Sequence, residues 1–125
     1  MEELKKVMII DNDLDVLDIM QEALVYEGFT VTAYEHTNNI LSIVEQEKPD
    51  VILIDYLLEG INGGEICHQM KVNPTTSDLP VIIISAYPKV ILSLGTYGCD
   101  KFIAKPFDLD ELVSSIKDLL VPFRN

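Results

Sequence analysis

Val51-Ile52-Leu53-Ile54-Asp55 decides the fold: four consecutive β-prone apolar residues with nothing polar between them, ended by a carboxylate. A half-solvated strand alternates apolar and polar side chains, so an unbroken run reads as a strand buried on both faces, as parallel strands covered by helices are. The pattern recurs three times. Val7-Met8-Ile9-Ile10 runs into Asp11, Val81-Ile82-Ile83-Ile84 into Ser85, and Phe102-Ile103-Ala104 into Lys105. All four polar residues then stand at strand carboxyl ends. In an open α/β sheet those ends share one edge, and ligands bind in the crevice where the strand order reverses. A cluster of carboxylates, a hydroxyl and an amine is predicted there.

Helical signals separate the runs. Leu14, Leu17, Met20, Ala23 and Leu24 recur at helical spacing up to Gly28, which stands where a helix C-terminal glycine is expected. Phe29 to Tyr34 reads as a strand. Thr37 or Asn38 caps a short helix carrying Ile40, Leu41 and Val44, and Lys48-Pro49-Asp50 closes it. Another helix begins near Gly63, carries Ile66, Cys67 and Met70, and stops at Asn73-Pro74; Leu79-Pro80 then leads into the fourth strand. Asp108 and Glu111 have capping-box spacing before Leu112, Val113, Ile116, Leu119 and Leu120, which are core by periodicity.

Five βα units result, which suits an α/β, flavodoxin-like, doubly wound domain: a five-stranded parallel sheet, order 2-1-3-4-5, in three α/β/α layers. That order sets the first and third strands side by side, so Asp11 and Asp55 face each other across the crevice.

At 125 residues the chain is expected to be one domain over 1–125. Its formal charge of −12, from 21 acids against 9 bases, disfavours direct contact with nucleic acid or an anionic membrane and favours a basic partner surface. No apolar run approaches the roughly 20 residues that span a bilayer, and the start Met1-Glu2-Glu3-Leu4-Lys5-Lys6 lacks a signal peptide's apolar core. A soluble cytoplasmic protein with reduced Cys67 and Cys99 is expected. His36 and His68 are assigned to the surface.

Carboxylates held close together repel one another unless a cation shares the site. An all-oxygen donor set points to Mg2+, which takes one or two protein carboxylates and keeps several waters. Lys105 adds a second positive charge and Ser85 a hydroxyl for a phosphoryl oxygen. Phosphoryl transfer asks a protein mostly for positioning and charge neutralisation, and an aspartate can itself be the nucleophile. Asp55 is the candidate.

The motifs Ile9-Ile10-Asp11-Asn12-Asp13, Ile54-Asp55-Tyr56-Leu57-Leu58-Glu59-Gly60-Ile61-Asn62-Gly63, Ile84-Ser85-Ala86 and Ala104-Lys105-Pro106-Phe107 follow buried strands in this order. From Lys6 to about Leu120 the chain resembles the receiver domain of two-component response regulators, the fold of the chemotaxis response regulator. The resemblance implies a phosphoacceptor rather than an enzyme. Asp55 would take a phosphoryl group from a histidine kinase or phosphotransfer protein, with Mg2+ bound by Asp11, Asn12, Asp55 and the backbone carbonyl of Leu57. It also implies that Lys105 and Ser85 bind the phosphoryl oxygens and that Ser85 and Phe102 form the switch. A downstream protein would read the face of the fourth helix, fifth strand and fifth helix, and the Lys105-Pro106 bond would be cis.

Three departures from the family pattern carry expectations. Asn12 puts an amide where a second adjacent acid is usual, so weaker Mg2+ affinity is expected; Asp13 would substitute only if it turned back to the crevice, and as the next residue it reads as a helix cap. Between Ser85 and Gly98 the chain is two residues short, and β-branched residues with Gly95 predict a short or distorted fourth helix. Glu59 stands where proline is common, a tolerated variation. Taken singly, Asp55 reads as a loop start, Ser85 as a strand-end hydroxyl, Lys105 as a solvated charge and Phe102 as core filler. Two other functions stay open: a haloacid-dehalogenase-type phosphatase with Asp11 as nucleophile and Asp13 as acid and base, and a receiver-like interaction module that is never phosphorylated.

Overall fold

The computed structural model describes residues 4–36, 39–58, 62–87 and 98–120. In chain order the elements are β1 (Lys6–Ile10), α1 (Leu14–Tyr26), β2 (Thr30–Tyr34), α2 (Ile40–Glu47), β3 (Val51–Asp55), α3 (Gly63–Val72), β4 (Val81–Ser85), β5 (Lys101–Ala104) and α4 (Leu109–Leu120). The strands form one parallel sheet, as the alternation of runs predicts, in the expected flavodoxin-like order β2-β1-β3-β4-β5.

Why the runs are unbroken is visible in their two faces. Val7, Ile9, Leu53 and Ile84 pack with Leu17, Met20 and Leu24 of α1 and with Leu112 and Ile116 of α4. Met8, Ile10, Ile52, Ile54 and Ile83 pack with α2 and α3 on the other face. Both faces are dry, so neither tolerates a polar residue. Each such aliphatic side chain contributes about 1.5–3 kcal/mol on burial.

Helix ends follow local chemistry. Asp13 accepts hydrogen bonds from the amides of Asp15 (3.1 Å) and Val16 (3.3 Å), capping α1. At the far end Phe29 N–H bonds the Leu24 carbonyl and Gly28 N–H that of Val25, both at 3.0 Å. This Schellman turn uses the left-handed Gly28 (φ 96°) and packs Phe29 into the cluster that holds Leu24. Phe29 therefore belongs to the helix stop, and β2 starts one residue later than expected. Asn62 caps α3 through the Glu65 amide (2.8 Å), and Asp108 caps α4 through the Glu111 amide (2.7 Å).

Two expectations need correction. The cap of α2 is Asn39, whose side chain accepts from the Ser42 amide (3.1 Å); Thr37 and Asn38, two positions and one position early, lie outside the described residues. Leu14, read with the core positions of α1, is 53% exposed, because it starts the helix at the sheet edge. The expected short fourth helix falls on 88–97 and Glu59 on 59–61, both outside the described residues. Among the described residues no helix is long and apolar enough to cross a membrane. His36 and His68 are exposed.

Both cysteines are free thiols, Cys67 buried and Cys99 half-buried. Burial, with a smaller push from Cys99, raises the Cys67 thiol from 9.0 to about 12. The fold thus favours the protonated thiol, a contribution present below the ordinary thiol pKa and lost as pH rises toward about 12. Cys67 is expected to stay unmodified by Ellman's reagent in the native protein at mildly alkaline pH and to react fully in guanidinium. Labelling at native rates equal to those of the denatured chain would contradict its placement.

Candidate functional site: a carboxylate pair bridged by lysine

Register brings the four strand-end residues together. Ile10 pairs with Ile54, so Asp11 leaves β1 beside Asp55, the last residue of β3. Asp55 pairs in turn with Ile84, and Ser85 with Ala104. Backbone bonds continue the sheet past the strand ends: Asp11 N–H to the Tyr34 carbonyl (3.0 Å), Tyr56 N–H to that of Ile84 (2.8 Å) and Lys105 N–H to that of Ser85 (2.8 Å). Each side chain is aimed by a paired backbone.

At this edge Lys105 Nζ lies 3.1 Å from Asp11 Oδ2 and 2.9 Å from Asp55 Oδ1. The carboxylates are nearly dry, 1% and 8% exposed at the side chain, while the lysine side chain keeps 20%. Burial raises the Asp55 carboxyl; the Asp11 charge adds to this, and the bond to Lys105, its charge and the Leu57 N–H oppose it. Burial alone would lower Lys105, but its bond to Asp55 and the charges of both aspartates outweigh that, so its ammonium is held above the usual lysine range. One ammonium serves two carboxylates.

The remaining expected residues are placed as follows. Asp11 Oδ1 accepts the Asp13 amide (2.9 Å), while the Asp13 side chain is engaged in capping α1 and does not turn back as a substitute ligand. Asn12 is exposed, next to buried Asp11. Leu57 is half-exposed and bridges to Asn62, closing the loop after β3. Ser85 is buried, its Oγ accepting the Tyr87 amide (2.9 Å). Phe102 is half-buried against the α2/α3 side of the core, and the Lys105-Pro106 peptide is cis.

Gly63 is a residue whose role the sequence reading missed. Its spacing marks a helix start and the end of the Asp55 motif, yet a Cβ there would fall on the Asp55 carbonyl oxygen and 2.7 Å from Ile54 Cγ2. Its own N–H bonds the Tyr56 carbonyl (2.8 Å), drawing α3 against the strand that presents Asp55. The signal was available: a glycine in the first turn of a helix, where no left-handed φ is needed, marks close backbone approach.

Can these residues hold a metal? Among the described residues no three His, Cys, Asp or Glu side chains cluster closely enough to do so. Asp11 and Asp55 with an amide, a backbone carbonyl and water would be an all-oxygen set, which fits Mg2+ and no thiophilic ion. The residues fit.

Residues 7–117 match the response regulator receiver domain family, and the chain belongs to it. It is a receiver domain of two-component response regulators, a signalling domain phosphorylatable on an aspartate. Over 118 residues it is 30% identical to the phosphate regulon transcriptional regulatory protein PhoB of Pseudomonas aeruginosa, covering 93% of this chain and 52% of that protein. Over 120 residues it is 30% identical to the DNA-binding transcriptional regulator NtrC of Proteus hauseri, covering 94% of this chain and 25% of that one. The chain thus spans between a quarter and about half of these curated relatives. Among solved structures, a putative response regulator from Chloroflexus aurantiacus superposes with a TM-score of 0.88 at 25% identity, over 96% of this chain and 100% of that one. TrrA of Thermotoga maritima, solved in complex with Mg2+-BeF, shares the fold at TM-score 0.84 and 24% identity, over 94% and 100%.

Proposed function

We propose that Asp55 is the phosphoacceptor of this receiver. The observation that carries the reading is Lys105 Nζ bonded to both Asp11 and Asp55 at the carboxyl edge of the sheet. An Asp55 oxygen attacks the phosphorus of a phosphohistidine; the P–O bond forms as the P–N bond breaks, and the imidazole leaves and takes a proton from solvent. Lys105 neutralises the incoming phosphoryl oxygens and the Ser85 O–H donates to one of them. Asp11, Asn12, Asp55 and the Leu57 carbonyl would hold Mg2+, which would supply further charge neutralisation. Ser85 and Phe102 relay the new anion to the face of β5 and α4, where a downstream protein docks. The donor is a histidine kinase or phosphotransfer protein, the compartment the cytoplasm, the unit a single receiver over 1–125, and its part in the chemistry is to assist its own phosphorylation and dephosphorylation.

The phosphatase alternative needs Asp13 as acid and base beside Asp11, whereas Asp13 caps α1. Intact-mass spectrometry and peptide mapping after treatment with acetyl phosphate and Mg2+ test the proposal. One phosphoryl adduct on Asp55, absent in Asp55→Asn, is expected; an adduct on Asp11, or none, would overturn it.

Asn12 has a separate consequence. Restoring a carboxylate by Asn12→Asp is expected to tighten Mg2+ binding by about tenfold, ~1.4 kcal/mol, in a calorimetric or fluorescence titration. Equal affinities would show that the amide is no handicap.

A further inference from the structure

The phosphorylation chemistry leaves Cys67 and Cys99 unused, and the fold brings them together. Cys67 lies on α3, buried in the cluster on the α2/α3 side of the sheet; Cys99, two residues before β5, packs half-buried against the same cluster. Lys71 fixes their mutual position. It stands one helical turn after Cys67, so the two side chains leave α3 on the same face with Cβ atoms about 5–6 Å apart. The chain around Cys99 straddles this lysine: a Cβ on Gly98 would lie 3.3 Å from Lys71 Cγ, and Asp100 Oδ2 accepts from Lys71 Nζ at 2.8 Å. Cys99 therefore meets α3 at the turn that carries Cys67. Lys71 also donates to the carbonyls of Leu79 (2.8 Å) and Ser77 (3.3 Å), while Asp100 Oδ2 accepts the Val81 N–H (2.8 Å), so this approach is held from both sides. Burial chiefly raises both thiols, and both also feel Asp100 and Lys71; Cys67 feels Cys99 before either.

We infer that Cys67 and Cys99 are a redox-sensitive pair that closes into a reversible disulfide when the protein meets a peroxide. Cys99 is the more exposed thiol and is oxidised first. Its sulfur attacks one oxygen of hydrogen peroxide, the O–O bond breaks, and the thiol proton leaves with the other oxygen as water, giving a sulfenic acid. The Cys67 sulfur then attacks the Cys99 sulfur; the S–S bond forms as the S–O bond breaks, and the hydroxyl departs with the Cys67 proton as a second water. Two thiols lose two electrons and two protons, which reduce one peroxide. The oxidant never has to reach Cys67. Burial favours the thiol over the reactive thiolate, so the pair responds to sustained oxidant and stays reduced otherwise. The bond would staple α3, whose Gly63 lies against the Asp55 carbonyl, to the start of β5, the strand of Phe102 that leads into Lys105. By restricting the unfolded chain it would stabilise the domain. Stability would then follow the oxidation state of the surroundings, apart from phosphoryl transfer.

The test is peptide mapping of the protein after hours in millimolar hydrogen peroxide at mildly alkaline pH, followed by alkylation in guanidinium. Wild type is expected to yield a peptide pair joined through Cys67 and Cys99, with neither thiol alkylated, and dithiothreitol should restore both. The oxidised protein should melt about 10 °C above the reduced one, a rise that Cys67→Ala and Cys99→Ala lack. Cys67→Ala, which keeps the thiol that is oxidised first, should accumulate a sulfenic acid at Cys99 that dimedone traps, whereas wild type should not. Circular dichroism of the reduced variants checks their fold, and the cross-link in wild type reads out independently of them. Two alkylatable thiols after peroxide would overturn the inference, as would separate oxidation of each cysteine without a bond. A disulfide joining two molecules, or an oxidised form melting at or below the reduced one, would count against it equally.

Discussion

Gly63→Val is expected to destabilise the domain by about 3 kcal/mol, the upper end of what overpacking costs, and to lower the melting temperature by about 10 °C or more. The reason lies in what the new side chain meets. The first atom it adds falls on the Asp55 carbonyl oxygen, with the Asp55 carbonyl carbon 3.0 Å away, and both are backbone atoms of a fully buried strand. Neither can rotate aside as a flexible side chain would. Relief therefore requires α3 to lift from β3, breaking the bond from Gly63 N–H to the Tyr56 carbonyl and moving Asp55 itself. Circular-dichroism melts of wild type, Gly63→Ala and Gly63→Val should fall in that order, and the folded fraction of the valine variant should take up phosphoryl groups more slowly. A valine variant melting within about 3 °C of wild type would show that α3 can lift from β3 at little cost.

Lys105→Met is expected to have the second large effect, because it keeps the length of the side chain and deletes only the charge. Asp11 and Asp55 would then share a nearly dry site with no ammonium. Removing one partner from such a group costs about 3 kcal/mol at neutral pH in the presence of a chelator, and phosphoryl uptake should fall by about two orders of magnitude, as when one positioned donor is lost. The pH dependence follows from the direction of the Asp55 shift. Its carboxyl is already raised, chiefly by burial with Asp11 adding, and the bond from Lys105 is the largest opposing influence. Without Lys105 it rises further. A raised folded-state pKa favours the protonated form, so that contribution is fully present below the ordinary carboxylate range and is lost as pH climbs through the folded value. Denaturant melts with chelator should therefore show the variant close to wild type in mild acid and well below it at neutral pH. Adding Mg2+ should recover part of the loss, and Asp55→Asn in the same background should recover more. Equal stability of Lys105→Met and wild type at neutral pH would mean that the pair is solvated and the bridge unimportant.

The sheet, its order and the edge where the site forms were legible because burial writes itself into the chain locally. Val51 to Ile54 had to be apolar on both faces, and a polar residue at each strand end had to be at the carboxyl edge. Asp11 and Asp55 could be paired from the expected strand order, and Lys105 reaches both. Other features were not legible, since they depend on distances between segments far apart in sequence. Asp13 reads as a cap of α1, and the structure agrees, but how it stands relative to the crevice depends on where the start of α1 lies against β1. Leu14 has core spacing, but whether it is covered depends on where the sheet ends.

By itself the sequence determined the alternation of strands and helices, the burial of the strands on both faces and the identity of the residues at strand ends, because apolar periodicity and the side-chain chemistry of strand ends are local properties. Only the tertiary structure decided that one ammonium bridges Asp11 and Asp55, that α3 approaches Asp55 so closely that only glycine fits at residue 63, and that Cys67 and Cys99 meet in one cluster between α3 and β5. Those are facts of separation in space. A linear pattern gives the periods along each element, while the gaps between elements follow from how the whole set of side chains packs.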